Sequence, residues 1–150
     1  MLRVTRLTDY ATVVLTVLAA APDAVVSAAE LAERAGLEPP TVAKLRKPLA
    51  QAGLVDAVRG ASGGYRLARP AAEITLIEIV EAMEGPLAMT ECSIHEGQCG
   101  IEDSCNVRGN WQRVNDVIAK ALREISLHDM AHGDVASSSS KRIPVRLAVA

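Results

Sequence analysis

Phenylalanine is absent from the 150 residues, and only Tyr10, Tyr65 and Trp111 carry large aromatic rings. A core without such rings is filled by Ala, Val, Leu and Ile, which suits helices packed at close range. No apolar run reaches the roughly 18–20 residues that cross a bilayer, so no membrane partner is expected. The opening stretch MLRVTRLTDYATVVLTVLAAAP places basic residues ahead of an apolar run, as a secretory leader does. Thr8, Asp9, Tyr10 and Thr12 interrupt that run, so it reads as a first helix and the chain as cytoplasmic. Cysteine is scarce as well: Cys92, Cys99 and Cys105 are the only three. An odd number without a leader argues against a disulfide framework. Catalytic dyads and nucleotide-binding glycine loops are also missing, and an enzyme is not expected.

Charge is nearly balanced at a net −2, yet unevenly laid out. Residues 1–70 hold nine Lys/Arg against six Asp/Glu, residues 71–136 hold four against twelve, and residues 137–150 hold three basic residues and no acidic one. A basic first half and an acidic centre suggest two jobs on one chain.

Local signals divide the chain into short helices. Leu7–Ala20 reads as a helix capped by Thr8, with Asp9 in its first turn. Ser27-Ala-Ala-Glu30 is a capping box that starts a second helix ending at Gly36. Pro39 and Pro40 suit the first turn of a third, which runs to about Ala52 with Gly53 as its stop. Pro48 lies inside that helix and predicts a kink or an irregular turn. Leu54–Arg59 and Tyr65–Leu67 flank GASGG as a β-hairpin. Thr75 caps a helix over Leu76–Glu84. A long helix follows from Asn106 or Arg108 to Ile125, then a short one over Leu127–Ala131. The remaining tail, GDVASSSSKRIPVRLAVA, has no clear period and reads as disordered from 133 to 150. The predicted architecture is mainly α with a small β wing: a winged helix-turn-helix over 1–70, then a thiol loop and dimerisation helices over 71–132.

LAERAGLEPPTVAKL places the small Ala32 four residues before Gly36, which lets two helices meet closely at a tight turn. Leu31, Ala35, Leu37, Val42 and Leu45 then face the core. Thr41, Lys44 and Lys47 point outward from the helix expected to enter a major groove. In RGASGGYR the backbone is bare enough to approach phosphates. Arg59 and Arg66 add charge, and Ser62 and Tyr65 add hydroxyls. An αα-hairpin and a β-hairpin that merely pack together would need no such basic excess, so double-stranded promoter DNA is the expected partner. In the long helix Trp111, Val114, Ile118, Ala121 and Ile125 recur at 3,4,3,4 spacing, with Val117 and Leu122 beside them. Packing on its own domain would need the same stripe, but a homodimer would also bring two recognition helices to successive grooves.

The cysteines follow C-x6-C-x5-C. Thiolates suit zinc or an iron–sulfur cluster. Zinc knuckles use tighter C-x2–4-C pairs, and the longer gaps here favour a cluster.

With these pieces together, LTDYATVVL, LAERAGLEPPTVAKLRKPLAQAGLV, VRGASGGYRLARP, ITLIEIVEAMEGP and the three cysteines resemble the winged-helix iron–sulfur regulators. That family includes the Isc regulator and the nitric-oxide-responsive repressor. Within it the chain is most similar to the subgroup that regulates Suf-type assembly genes, and the resemblance covers about residues 1–132. It implies a homodimeric repressor that binds promoter DNA under control of a four-iron or two-iron cluster, with the assembly machinery as cluster source. An alternative is a nitric-oxide or redox-sensing repressor of other stress genes. The Isc-type branch has a histidine three residues after the third cysteine as fourth ligand. Here that residue is Arg108, which stays protonated and cannot ligate metal. His95, Glu102 and Asp103 remain as local candidates. In the nitric-oxide-responsive branch an aspartate matching Asp9 reaches the cluster across the dimer, so Asp9 of the partner subunit is the first choice and His95 the second.

Overall fold

Thr5, and not Thr8, starts the first helix. In the computed structural model, which describes residues 3–93, 97 and 99–133, α1 spans Arg6–Ala19 and the Thr5 hydroxyl accepts the Thr8 backbone N–H at 3.3 Å. Thr8 lies one turn inside, 2% exposed, with its hydroxyl donated to the Glu84 carboxylate. Two threonines three apart offer the same local signal, and a contact 76 residues away decides between them.

The helix-turn-helix follows as expected. In α2 (Ala28–Ala35) the Ser27 hydroxyl accepts the Glu30 N–H at 3.2 Å, while the Glu30 carboxylate turns to Arg34 at 3.4 Å. Gly36 closes the helix in the left-handed region at φ 65°, where a side chain would be strained. Prolines occupy the first two positions of α3 (Pro39–Gln51). The irregular turn predicted at Pro48 is not found: helix continues through it to Gln51. The missing N–H falls in the last turn, so one bond to the Lys44 carbonyl is forgone while buried Leu45 and Leu49 hold the segment on the core.

The wing is a two-stranded antiparallel sheet, β1 (Val55–Val58) against β2 (Gly64–Leu67), with Val55 opposite Leu67 and Val58 opposite Gly64. Val26, just ahead of α2, adds a single rung to β2 from outside the two strands through reciprocal 2.8 Å backbone bonds with Tyr65. That approach requires a glycine at 64, because a Cβ there would sit 2.2 Å from the Val26 carbonyl oxygen.

Arg69, after β2, reaches Glu78 at 2.7 Å. Glu78 also accepts the Thr75 N–H and hydroxyl at 2.8 and 2.9 Å and so anchors the start of α4 (Leu76–Glu84). The segment after Gly85 carries the cysteines. It leads into α5 (Arg108–Arg123), which ends short of the expected Ile125. Ile125 leaves the helix because its carbonyl accepts Leu76 N–H while Leu127 donates to Ile74, both at 2.8 Å. A capping box of Ser126 and Asp129 then starts α6 (Leu127–His132). Leu15 and Leu18 of α1, Leu45 and Leu49 of α3, Ile79 of α4 and Leu127 of α6 share one buried cluster. Burying a side chain of this size stabilises by about 1.5–3 kcal/mol, so this cluster fixes how the helices stack. The expected tail, from 134 onward, lies outside the described residues.

Candidate nucleic-acid interface and thiol site

Helix α3 presents Lys44 and Lys47 to solvent, and Thr41 half-buried beside them. Leu31, Val42 and Leu45 are buried beneath, and Ala35 and Leu37 pack on them. Between α3 and the wing lies an open cleft of about 580 Å³, with Arg46 and Lys47 on the helix side and Arg59 and Gly60 on the wing side. Arg46 was not expected there. It follows a buried leucine, and the outward face predicted from Thr41, Lys44 and Lys47 passed it over; its place in the basic run KLRK, between Lys44 and Lys47, would have been a usable signal.

The wing residues do not all share one role. Arg59 and Ser62 are exposed near the tip. Arg66 stands opposite Asp56 across the strands and pairs with it at 3.5 Å, both about half exposed, a geometry worth little to stability. Tyr65 is half-buried and lends its backbone to the Val26 rung. The elements therefore bring Lys47, Arg59 and Tyr65 to one basic cleft together with Arg46, while Thr41, Lys44, Ser62 and Arg66 lie outside its lining.

The second candidate site is the segment between α4 and α5. Cys92, Cys99 and Cys105 are half-buried and none is in a disulfide. The segment is tied to α5 where Met89 N–H donates to the Asn115 side chain at 3.2 Å. Thr90 contacts the Cys92 sulfur at 3.2 Å and the Ser93 hydroxyl at 3.0 Å. Among the described residues no three Cys, His, Asp or Glu side chains converge as a metal-ligand group. Three unpaired, soft thiols on one segment nevertheless fit a thiolate-bound metal or cluster in donor chemistry.

The fourth-ligand candidates fall in different places. His95 and the side chain of Asp103 lie outside what the structure describes. Glu102 is 9% exposed, and its two oxygens accept the Gly97 N–H at 2.6 Å and face Arg108 Nη2 at 2.8 Å. Asp9 is exposed on the first turn of α1, away from the cysteine segment in sequence. It borders an apolar groove of about 450 Å³ formed with Val80 and Glu84 of α4 and Ile118 and Leu122 of α5. Beside it, the Glu84 carboxylate accepts the Thr8 hydroxyl and the Thr5 N–H, and those bonds hold its pKa below the ordinary glutamate value. Sequence reasoning passed over Glu84 because its partners are on another helix.

The apolar stripe of α5 is poorly covered. Trp111, Val114 and Val117 are 42%, 41% and 67% exposed, and Ile118 and Ile125 are half-buried.

Comparison with known proteins gives a consistent picture. The Rrf2 family model, described as "Iron-dependent Transcriptional regulator", matches residues 4–133. Protein aau3 of Rhizobium meliloti is 35% identical over 130 residues, covering 86% of this chain and 84% of that protein. The HTH-type transcriptional regulator IscR of Photorhabdus laumondii is 34% identical over 104 residues, covering 69% of this chain and 63% of that protein, just under two thirds of its length. Among solved structures, the global cysteine regulator CymR of B. subtilis superposes with a TM-score of 0.70 at 28% identity, covering 89% of this chain and 98% of that one. T. potens IscR superposes with a TM-score of 0.64 at 30% identity, covering 93% of both.

Proposed function

Because the chain belongs to the Rrf2 family of transcriptional regulators, we propose that it is an iron–sulfur-cluster-sensing repressor that binds promoter DNA as a homodimer. One observation carries the reading: all three thiols sit on the segment that joins α4, which packs on the DNA-binding helices, to α5, whose apolar face is exposed.

Each unit has a part. Helix α3 enters a major groove, with Thr41, Lys44 and Lys47 toward the DNA and Arg46 at the cleft. Arg59, Ser62, Tyr65 and Arg66 of the wing follow the backbone. Helix α5 pairs with its counterpart in a second copy. A bound cluster supplies a linkage that draws thiolates together and is destroyed by oxidants or nitric oxide. Cys92, Cys99 and Cys105 hold it, and Asp9 of the partner subunit completes the set. Asp9 suits that task because it is exposed and borders the groove beside α5. Within one chain, Glu84 links the thiol segment to the DNA-binding unit, since it ends α4 and holds the first turn of α1. A ligand that binds one arrangement of these helices better than another shifts the population toward it. Suf-type assembly genes are the proposed targets, with the assembly machinery as cluster source, so that scarce clusters relieve repression.

Anaerobically purified protein is expected to be brown, with charge-transfer absorbance that Cys99→Ser abolishes; colourless protein retaining stoichiometric zinc overturns the reading. DNA binding has its own check. A dimer that loses one phosphate contact per subunit in Lys47→Ala should show a salt slope shallower by about 1.8. The second reading, a nitric-oxide or oxidant sensor for other stress genes, is favoured by thiols that are only half-buried. Comparing how DNA affinity falls on cluster removal and on nitric-oxide exposure separates the two.

A further inference from the structure

Glu102 has an arrangement that ligand chemistry does not explain. Its backbone N–H donates to the Cys99 carbonyl at 3.0 Å, and its own carbonyl accepts the Cys105 N–H at 3.3 Å. Its carboxylate accepts the Gly97 N–H at 2.6 Å through one oxygen and faces Arg108 at 2.8 Å through the other. One residue therefore touches the two later cysteines through the main chain. Through its side chain it joins the loop ahead of Cys99 to the first residue of α5. The carboxyl side chain is 6% exposed, in a loop whose other described residues are half-buried or exposed. Burying a carboxylate is costly unless it is paired and hydrogen-bonded, and here both conditions are met.

We propose that Glu102 and Arg108 are positioning residues: a buried staple that holds the thiol segment in shape before any metal arrives and fixes the spacing of Cys99 and Cys105. Glu102 is then not the fourth ligand, because both oxygens are already committed to the chain. Arg108 does more than fail to ligate. It neutralises the carboxylate on which the loop closes. The staple rests on the reading of this segment as a thiolate site, but it acts in the metal-free protein and can be tested there.

The test uses the full-length, reduced, metal-free chain. Alkylation of each cysteine with iodoacetamide is timed by mass spectrometry, and amide hydrogen exchange is followed over 97–107. Glu102→Ala and Arg108→Ala should each speed alkylation of Cys99 and Cys105 at least tenfold and raise exchange in that segment, while amides of α1–α3 stay protected. Arg108→Lys keeps the cation and should restore most of the wild-type protection, a rescue that loss of packing alone would not produce. Wild-type alkylation rates in Glu102→Ala, or no rescue by lysine, overturn the staple. Reconstitution of the wild type with ferrous iron and sulfide runs alongside: failure to form a coloured species sinks the cluster reading and leaves the metal-free result to stand or fall by itself.

Discussion

Gly64 shows how one missing side chain can organise a wing. Its place is set by the rung between Tyr65 and Val26, and a methyl group would meet the Val26 carbonyl oxygen at 2.2 Å. Because the obstacle is backbone on both sides, Gly64→Ala must part the rung or shift β2. Overpacking of this kind costs about 1–3 kcal/mol, and at this chain length each kcal/mol lowers the melting temperature by about 2–4 °C. Calorimetry should show that fall, and DNA affinity should drop more than stability, since the wing moves relative to α3. Glu84 makes a different residue-scale prediction. Hydrogen bonds from Thr8 and Thr5 depress its pKa, so the folded state favours the ionised form. Its contribution is present above the unfolded value of about 4.3 and is lost as pH falls through the lower folded value. Glu84→Gln should flatten the loss of thermal stability below that pH and destabilise modestly at pH 7, as titrated melting curves would record; an unchanged acid slope would contradict it. The sequence marked neither residue's partner. Val26 looks like an ordinary chain position and Thr8 like a helix cap until the fold brings them to Tyr65 and Glu84.

At the scale of elements, local chemistry was readable and long-range chemistry was not. Ser27, Gly36, the Pro39–Pro40 pair, Gly53 and Thr75 bound their helices as expected, because caps and stops act within a few residues. The errors have tertiary causes: Thr8 lost its capping role to Thr5 through Glu84, and α5 stopped early because Ile125 was recruited to the bridge with Leu76. That the three cysteines share one segment was legible in the sequence, whereas the Glu102 hub was not, since three of its four partners are backbone groups. The exposed stripe of α5 carries the element-scale prediction. Trp111, Val114 and Val117 bury little in one chain, so charge there should leave the subunit fold within about 0.5 kcal/mol of wild type. In a dimer seam the same charges would be desolvated without partners. Val114→Arg with Val117→Arg should therefore sediment as a folded monomer with an unchanged helical circular-dichroism spectrum. A dimer that survives the double substitution places the interface elsewhere.

For the whole molecule the proposed cluster turns on where its fourth ligand would come from, because that sets whether the proposed sensing is a property of one chain or of two. A local ligand would confine events to the segment between α4 and α5. Asp9 would route them through α1, the helix whose first turn Glu84 holds and whose buried face packs on the DNA-binding helices. Asp9→Ala should leave the melting temperature of the metal-free protein nearly unchanged, since the side chain is exposed. After reconstitution the same variant should lose its colour much faster under air than wild type, and its affinity for promoter DNA should no longer depend on the cluster. The two-chain route predicts one thing more. Take a mixed dimer in which one subunit carries Asp9→Ala and the other Cys99→Ser. Only one of its two sites then lacks both its aspartate and its cysteine, and the other is intact when ligands are shared across the interface. With ligands from a single chain, each site carries one defect. With the Asp9→Ala homodimer labile, half the wild-type cluster content at normal stability in that mixed dimer supports the shared site; half the content in a labile form would place Asp9 on the same chain as the cysteines, and an Asp9→Ala homodimer as stable as wild type would remove Asp9 from the ligand set.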